Sequence, residues 1–323
     1  MNLIRALTLS VSLGLLSICG AHAQTAQTFT KPIRIIVPYP GGDLADTIAR
    51  LLSPKLKEAL GQPILIDNRP GASGLLGLQA ALQGESDSHT FVLGQMGSMA
   101  VAPITGKQTF DVRSEFVPVA MAYTNYMLLV GNPGLPVKSL SELIAYAKAN
   151  PGKLRLATNG EGGFPHLAME LLKERTGIDF IHVPYKGSGQ PITDTIGGQV
   201  DVTIAGFSSL YQHVQSGRVV PIAITGSSRS ANAPTIQTFG ETVPGYEALG
   251  WFGFFAPKGT SASAINAMNA AVNAALKMPD VRQKAETLGL DTVPGTPAQL
   301  GVAWRQDYEK WGKLIHTLKL DAK

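Results

Sequence analysis

The chain of 323 residues holds a single cysteine, Cys19. It falls in an amino-terminal segment where Arg5 precedes an apolar run at 6–18 and Ala21-His22-Ala23 supplies a small-x-small processing pattern. The segment 1–23 reads as a signal peptide, cut near Ala23. A lipid-anchored alternative would acylate Cys19, but Ile18 stands where a small residue is expected before it, which makes lipidation the weaker reading. A mature chain beginning near Gln24 has no cysteine, and this excludes thiol catalysis, cysteine-ligated metal and disulfides.

Long apolar runs are missing too. A bilayer crossing takes about 20 residues, and no segment after the leader approaches that length without charges. Nor is there much charge of one sign: 27 Lys+Arg face 23 Asp+Glu, a formal net charge of +4. Lys55, Lys57, Arg69, Lys107, Arg113 and Lys138 stand singly, without interleaved aromatics, so no nucleic-acid partner is expected. The motifs of common hydrolytic and cofactor sites are absent as well. Neither Gly71-Ala72-Ser73-Gly74-Leu75 nor Gly187-Ser188-Gly189 has the spacing of a Gly-x-Ser-x-Gly elbow. His166 and Glu170 stand four apart but lack a third nearby zinc ligand. Gly160-Glu161-Gly162-Gly163-Phe164-Pro165 lacks the last glycine of a dinucleotide loop. No enzyme activity, metal or cofactor is expected. The competing class is a secreted serine hydrolase or esterase of α/β fold, since Ser, His and Asp are all present.

What is present is an alternation of short β-branched runs and helical patterns, which calls for parallel strands covered by helices on both faces, an α/β architecture. The run Ile33-Arg34-Ile35-Ile36-Val37 is followed by a helix over which Leu44, Ile48, Leu51 and Leu52 recur, with Asp43 placed as its N-cap and Gly61 at its end. Pro54 inside that helix predicts a kink or break. Further strands are expected at 64–66, 89–93, 154–157, 180–183, 200–204 and 219–224, with helices at 140–149 and 166–173. The apolar runs 126–130 and 251–255, each closed by a Pro-Gly or Pro-Lys-Gly turn, read as crossings between two lobes. Residues 24–125 and 251–323 would then form one lobe and 126–250 the other. The stripe Trp304, Tyr308, Trp311 at i, i+4 and i+7 reads as core packing.

Several strand-to-helix loops are rich in glycine: 40–46, 71–74, 94–98, 158–166 and 185–189. A helix N-terminus presents unpaired N–H groups and the positive end of its dipole, and glycine lets a ligand approach the backbone. In an open sheet such loops gather where strands end, which is where ligand clefts form. Loops of this kind in both putative lobes point to a cleft that binds an anion.

The runs VPYPGGDLADTIARLL, IDNRPGASGLLG, ATNGEGGFPHLAMELLKERTGIDFIHVPYKGSGQPITDTIGGQVDV and VPGYEALGWFGFFAPKGT resemble the Bug family, and the likeness spans essentially the whole mature chain. These are periplasmic receptors of tripartite tricarboxylate transporters. The resemblance implies a two-lobed Venus flytrap of type II-like architecture, a monomer that holds a small carboxylate solute and delivers it to membrane permease subunits. It implies a carboxylate held by backbone amides and ordered water at the first loop, where Tyr39, Gly41, Gly42, Asp43 and Asp46 match. Ala72 and Ser73 match the second loop and Gly97 with Ser98 the third. In the other lobe Thr158, Gly160, Gly162, Gly163 and His166 match one loop and Tyr185 the next. Two departures stand out: Asp43 occupies a position where the family has glycine, and Gly163 one where it has Ser or Thr. Asp43 is expected to cap its helix rather than face the ligand. Contacts from Thr158 and the His166 helix start are expected to favour closure. Ala205, Gly206 and Phe207 predict a solute with an aromatic or aliphatic body.

Overall fold

The computed structural model describes residues 28–83, 87–187, 189–226, 228–230 and 233–321. The expected signal peptide lies outside them. Along the chain come β1 (Ile33–Val37), β2 (Ile64–Asn68), β3 (Thr90–Gln95), β4 (Phe116–Asn125), β5 (Met127–Gly131) and β6 (Arg155–Thr158). There follow β7 (Ile181–Pro184), β8 (Val202–Gly206), β9 (Val220–Ile224), β10 (Gly250–Pro257) and β11 (Leu290–Thr292).

These strands form two sheets, ordered β11-β4-β10-β3-β1-β2 and β7-β6-β8-β5-β9. Both are mixed. β1 runs parallel to β2 and β3, and β6 parallel to β7 and β8. β10 runs against β3 and β4, β11 against β4, and β5 against β8 and β9. The parallel strands need helical crossovers, and burial on both faces explains why β1 is apolar at every position but half-buried Arg34 rather than alternating. The chain leaves the first sheet at Asn125, enters the second at Met127 and returns with Gly250, which pairs with Asn125. The result is a two-lobed α/β molecule with β4, β5 and β10 at the junction.

The helix Leu44–Leu60 shows how the sequence sets an element. The Asp43 carboxylate accepts the Ala45 N–H at 2.9 Å, and Gly61 closes the helix at φ 66°. Ile48, Leu52 and Leu56 are fully buried on one face. The break expected at Pro54 is absent, and the helix runs through it. Pro54 and Arg50 are both exposed, on the solvent side of the helix where a carbonyl that loses its partner is least costly. β4 was not legible as a strand because Pro118 interrupts it, and proline is confined to edges and bulges. Pro118 sits opposite Phe255 at a register shift of β10, which removes the need for its missing N–H.

The carboxy-terminal helix Pro297–Leu318 opens with a Thr296–Gln299 capping box. Trp304 and Trp311 are buried as core, while Tyr308 is half-buried beneath Arg113, 4.5 Å from its ring centroid. Trp304 donates its indole N–H to the Met99 carbonyl at 2.7 Å and meets Phe255 edge-on. Trp311, two turns on, meets Phe164 of the other lobe, ring centroids 5.7 Å apart. One helix is therefore anchored in both lobes.

Candidate functional site

A cavity of about 630 Å³ lies between the two sheets. Its floor is the junction itself, with Asn125, Met127, Gly250 and Trp251. From the first lobe the wall is Tyr39 after β1, Ser73, the stretch Gln95, Met96 and Gly97 after β3, and then Val101, Ala102 and Thr105. From the second lobe it is Asn159, Glu161, Gly162, Gly163, Phe164 and Pro165 after β6, with Ala205 and Gly206 ending β8. Leu320 closes one side. Among the described residues the lining carries no lysine, arginine or histidine, and its one carboxylate is Glu161.

Helix N-termini supply the positive potential instead. The helix Phe164–Thr176 begins at Gly163 and the helix Phe207–Gln215 at Gly206, neither with a side-chain cap. The π-helical turn Gly97–Val101 also lacks a side-chain cap. A Ser or Thr at position 163 would place a hydroxyl over the first amides; Gly163 leaves them open.

The 3₁₀ turn Ala72–Gly74 is held in an unusual conformation. Ala72 at φ 47° and Ser73 at φ 55° both occupy the left-handed region, which costs a non-glycine residue about 1–3 kcal/mol. Gly74, at φ 100°, packs so close that a Cβ there would lie 2.7 Å from the Ser98 Cβ. The turn is pressed against the Gly97 loop with exposed Ser73 at the cavity wall. Tyr39 lies over the same junction, its hydroxyl beside Ser98 and Gln95, and burial raises its pKa above the ordinary value.

Of the residues expected to bind, the fold brings Tyr39, Ser73, Gly97, Gly162, Gly163 and Ala205 to the cavity wall. Gly41, Gly42, Asp43, Asp46, Ala72, Ser98, Thr158, Gly160, His166 and Tyr185 do not line it, and most hold the loops that do. Asp43 caps its helix. Asp46, nearly fully buried, accepts the Gly42 N–H and the Arg50 Nε, both at 2.9 Å. The bond from Arg50 is the main cause that lowers Asp46 to about 2, with burial opposing it. Replacing Asp46 with Asn should cost about 1 kcal/mol, a modest loss because water screens exposed Arg50. Its sign in pH follows: the contribution is present above pH 4 and is lost as pH falls toward 2. Urea unfolding of D46N at pH 7 and pH 3 should show a penalty that shrinks at the lower pH.

Thr158 is buried, its hydroxyl 2.7 Å from His182 Nε2 and 3.1 Å from the Gly160 carbonyl. His166 accepts the Gly162 N–H at 3.1 Å through Nδ1, and its ring stacks on His182 with centroids 3.9 Å apart. The expected closure contacts from Thr158 and His166 thus belong behind the wall. Tyr185 donates to Asp194 at 2.7 Å, and Ser98 is paired with Gln95. Phe207 turns away to stack on Tyr211, leaving Ala205 and Gly206 at the surface.

Sequence reasoning missed Asn125, Met127, Gly250 and Trp251 as wall residues. The signal was available: they sit at the two crossings, and a cleft between lobes is floored by its crossings. Leu320 had no such signal, because only the fold returns the chain's end to the cavity.

Comparison with known proteins agrees with this fold. Residues 48–320 match the family described as tripartite tricarboxylate transporter family receptor. BugT of Bordetella pertussis is 34% identical over 295 residues, 90% of each chain. Rpa4515 of R. palustris, solved with adipate, superposes with a TM-score of 0.76 at 30% identity, covering 91% of this chain and 99% of that one. MatC (Rpa3494) from Rhodopseudomonas palustris, with bound malate, gives 0.71 at 29%, covering 88% and 99%. In sequence and in fold, the chain belongs to the tripartite tricarboxylate transporter receptors, a family of periplasmic solute-binding proteins.

Proposed function

We propose that this chain receives a small carboxylate-bearing solute in the inter-lobe cavity, closes over it and presents it to the membrane subunits of a tripartite transporter, without chemistry. One observation carries the reading: helix N-termini without side-chain caps, that of the Gly97–Val101 turn in the first lobe among them, open on a cavity whose lining has no basic side chain among the described residues. Such a wall suits an anion held by backbone dipoles. Relatives solved with adipate and malate support the same solute class. Ser73 at the wall has no histidine in the lining to activate it, which disfavours the hydrolase alternative.

The lobes of the working receptor are residues 24–125 with 251–323, and 126–250, turning about Asn125–Met127 and Leu249–Gly250. The chain is exported with cleavage near Ala23 and acts as a monomer. Binding acts by differential contact: a solute touching both lobes stabilises the closed form. Trp251 at the floor reports on this. Titration with carboxylates should give a saturable change in tryptophan emission that W251F reduces, with a fall in radius of gyration by X-ray scattering. If no member of a panel of aliphatic and aromatic acids changes either signal, the reading is wrong.

A further inference from the structure

The charge of the cavity wall is unequal between the lobes. In the first lobe the acidic residues near the wall are engaged, Asp43 on the Ala45 amide and Asp46 on Arg50 and Gly42. In the second lobe Glu161 is exposed, lines the cavity and makes no hydrogen bond or ion pair among the described residues. It stands two residues before Gly163, the N-cap of the helix Phe164–Thr176. A helix N-terminus is worth about half a positive charge, and a carboxylate beside it carries a full negative one. The sign at the second-lobe loop is therefore negative, while Gly97 and Ser73 across the cavity keep their donors without an opposing charge. Between the two ends the floor sets the apolar Met127, Trp251 and Ala205 beside one amide, Asn125.

Resting on the carboxylate-receptor reading above, we infer that the solute is an amino-carboxylate with an apolar middle, its carboxylate on the first lobe and its ammonium facing Glu161. A dicarboxylate would bring its second charge against Glu161 with no cation among the described wall residues to offset it. A cation there gains a charge-assisted hydrogen bond, and its arrival at the second lobe is the kind of contact that favours closure.

Two series of matched length test this by calorimetry on the purified full-length receptor and on E161Q. One is hexanoate, 6-aminohexanoate and adipate; the other is 4-methylbenzoate, 4-(aminomethyl)benzoate and terephthalate. In at least one series the amino acid should bind wild type at least tenfold more tightly than the diacid, roughly the worth of one charge-assisted hydrogen bond. E161Q should reduce that ratio about tenfold while the monoacid changes by less than about twofold. An unchanged ratio in E161Q, or a diacid that binds wild type best, overturns the role of Glu161 and leaves the carboxylate reading intact. Failure of all six to bind wild type overturns both.

Discussion

Replacing Trp311 with Ala should lower the stability of the receptor by about 3–5 kcal/mol, the range for truncating a buried large aromatic. For a chain of this size that is a fall in Tm of roughly 6–10 °C. Trp311 is fully buried, packs edge-on against Phe164 and carries Lys310 over its face at 4.6 Å. Its indole N–H has no partner among the described residues, so truncation forfeits packing rather than a hydrogen bond. The consequence extends to the cavity, because Phe164 is part of its wall. With its backing removed, Phe164 can turn into the void, and solute affinity should fall about tenfold, the equivalent of about 1.4 kcal/mol. W311F should retain most of both quantities. A scanning calorimetry shift below about 2 °C for W311A would show that the carboxy-terminal helix does not tie the lobes together.

That strut was half legible in the sequence. The spacing of Trp304 and Trp311 identified a buried face, but periodicity says only that a stripe packs, not against what. The pairing with Phe164 joins residues far apart in the chain, and no local pattern encodes it. The glycine loops were legible for the same reason that Asp43 was: a cap and a turn are local chemistry, decided by the two or three residues beside them. Which side chains of a loop face the cleft is a different matter. Thr158 and His166 flank the loop at Gly162 but lie behind it, because the His166–His182 stack and the Thr158–His182 contact draw both inward. His182 was invisible as a partner since it comes from β7, the neighbouring strand, where Leu156 lies opposite it and Thr158 opposite Pro184. Glu161, one position from two glycines, looked like loop filler until the fold placed it on the wall.

His182 makes the stability of this loop depend on pH. Burial is the main cause that pushes its imidazole down to about 4, and the neighbouring His166 adds to it while Glu170 opposes. The folded protein thus holds His182 neutral where the unfolded chain, with the ordinary value of 6.5, takes up a proton. The sign follows directly: the contribution is complete above pH 6.5 and is lost as pH falls toward 4. Full conversion of that difference would exceed 3 kcal/mol, but the ring is only half-buried, and screening reduces the loss to about 2 kcal/mol. Because His182 holds Thr158, and Thr158 holds Gly160, acid should loosen the loop that carries Glu161 and Gly163 into the cavity. Urea midpoints at pH 7 and pH 5 isolate the effect, since carboxylates change little between them. Wild type should lose about 1–2 kcal/mol over that interval, whereas H182Q, which keeps a neutral partner for Thr158, should lose less than half as much. His213, whose pKa burial also lowers, is present in both proteins and cancels in the difference. Equal losses in the two would mean that His182 carries a proton in the folded state and that the loop is held by something else.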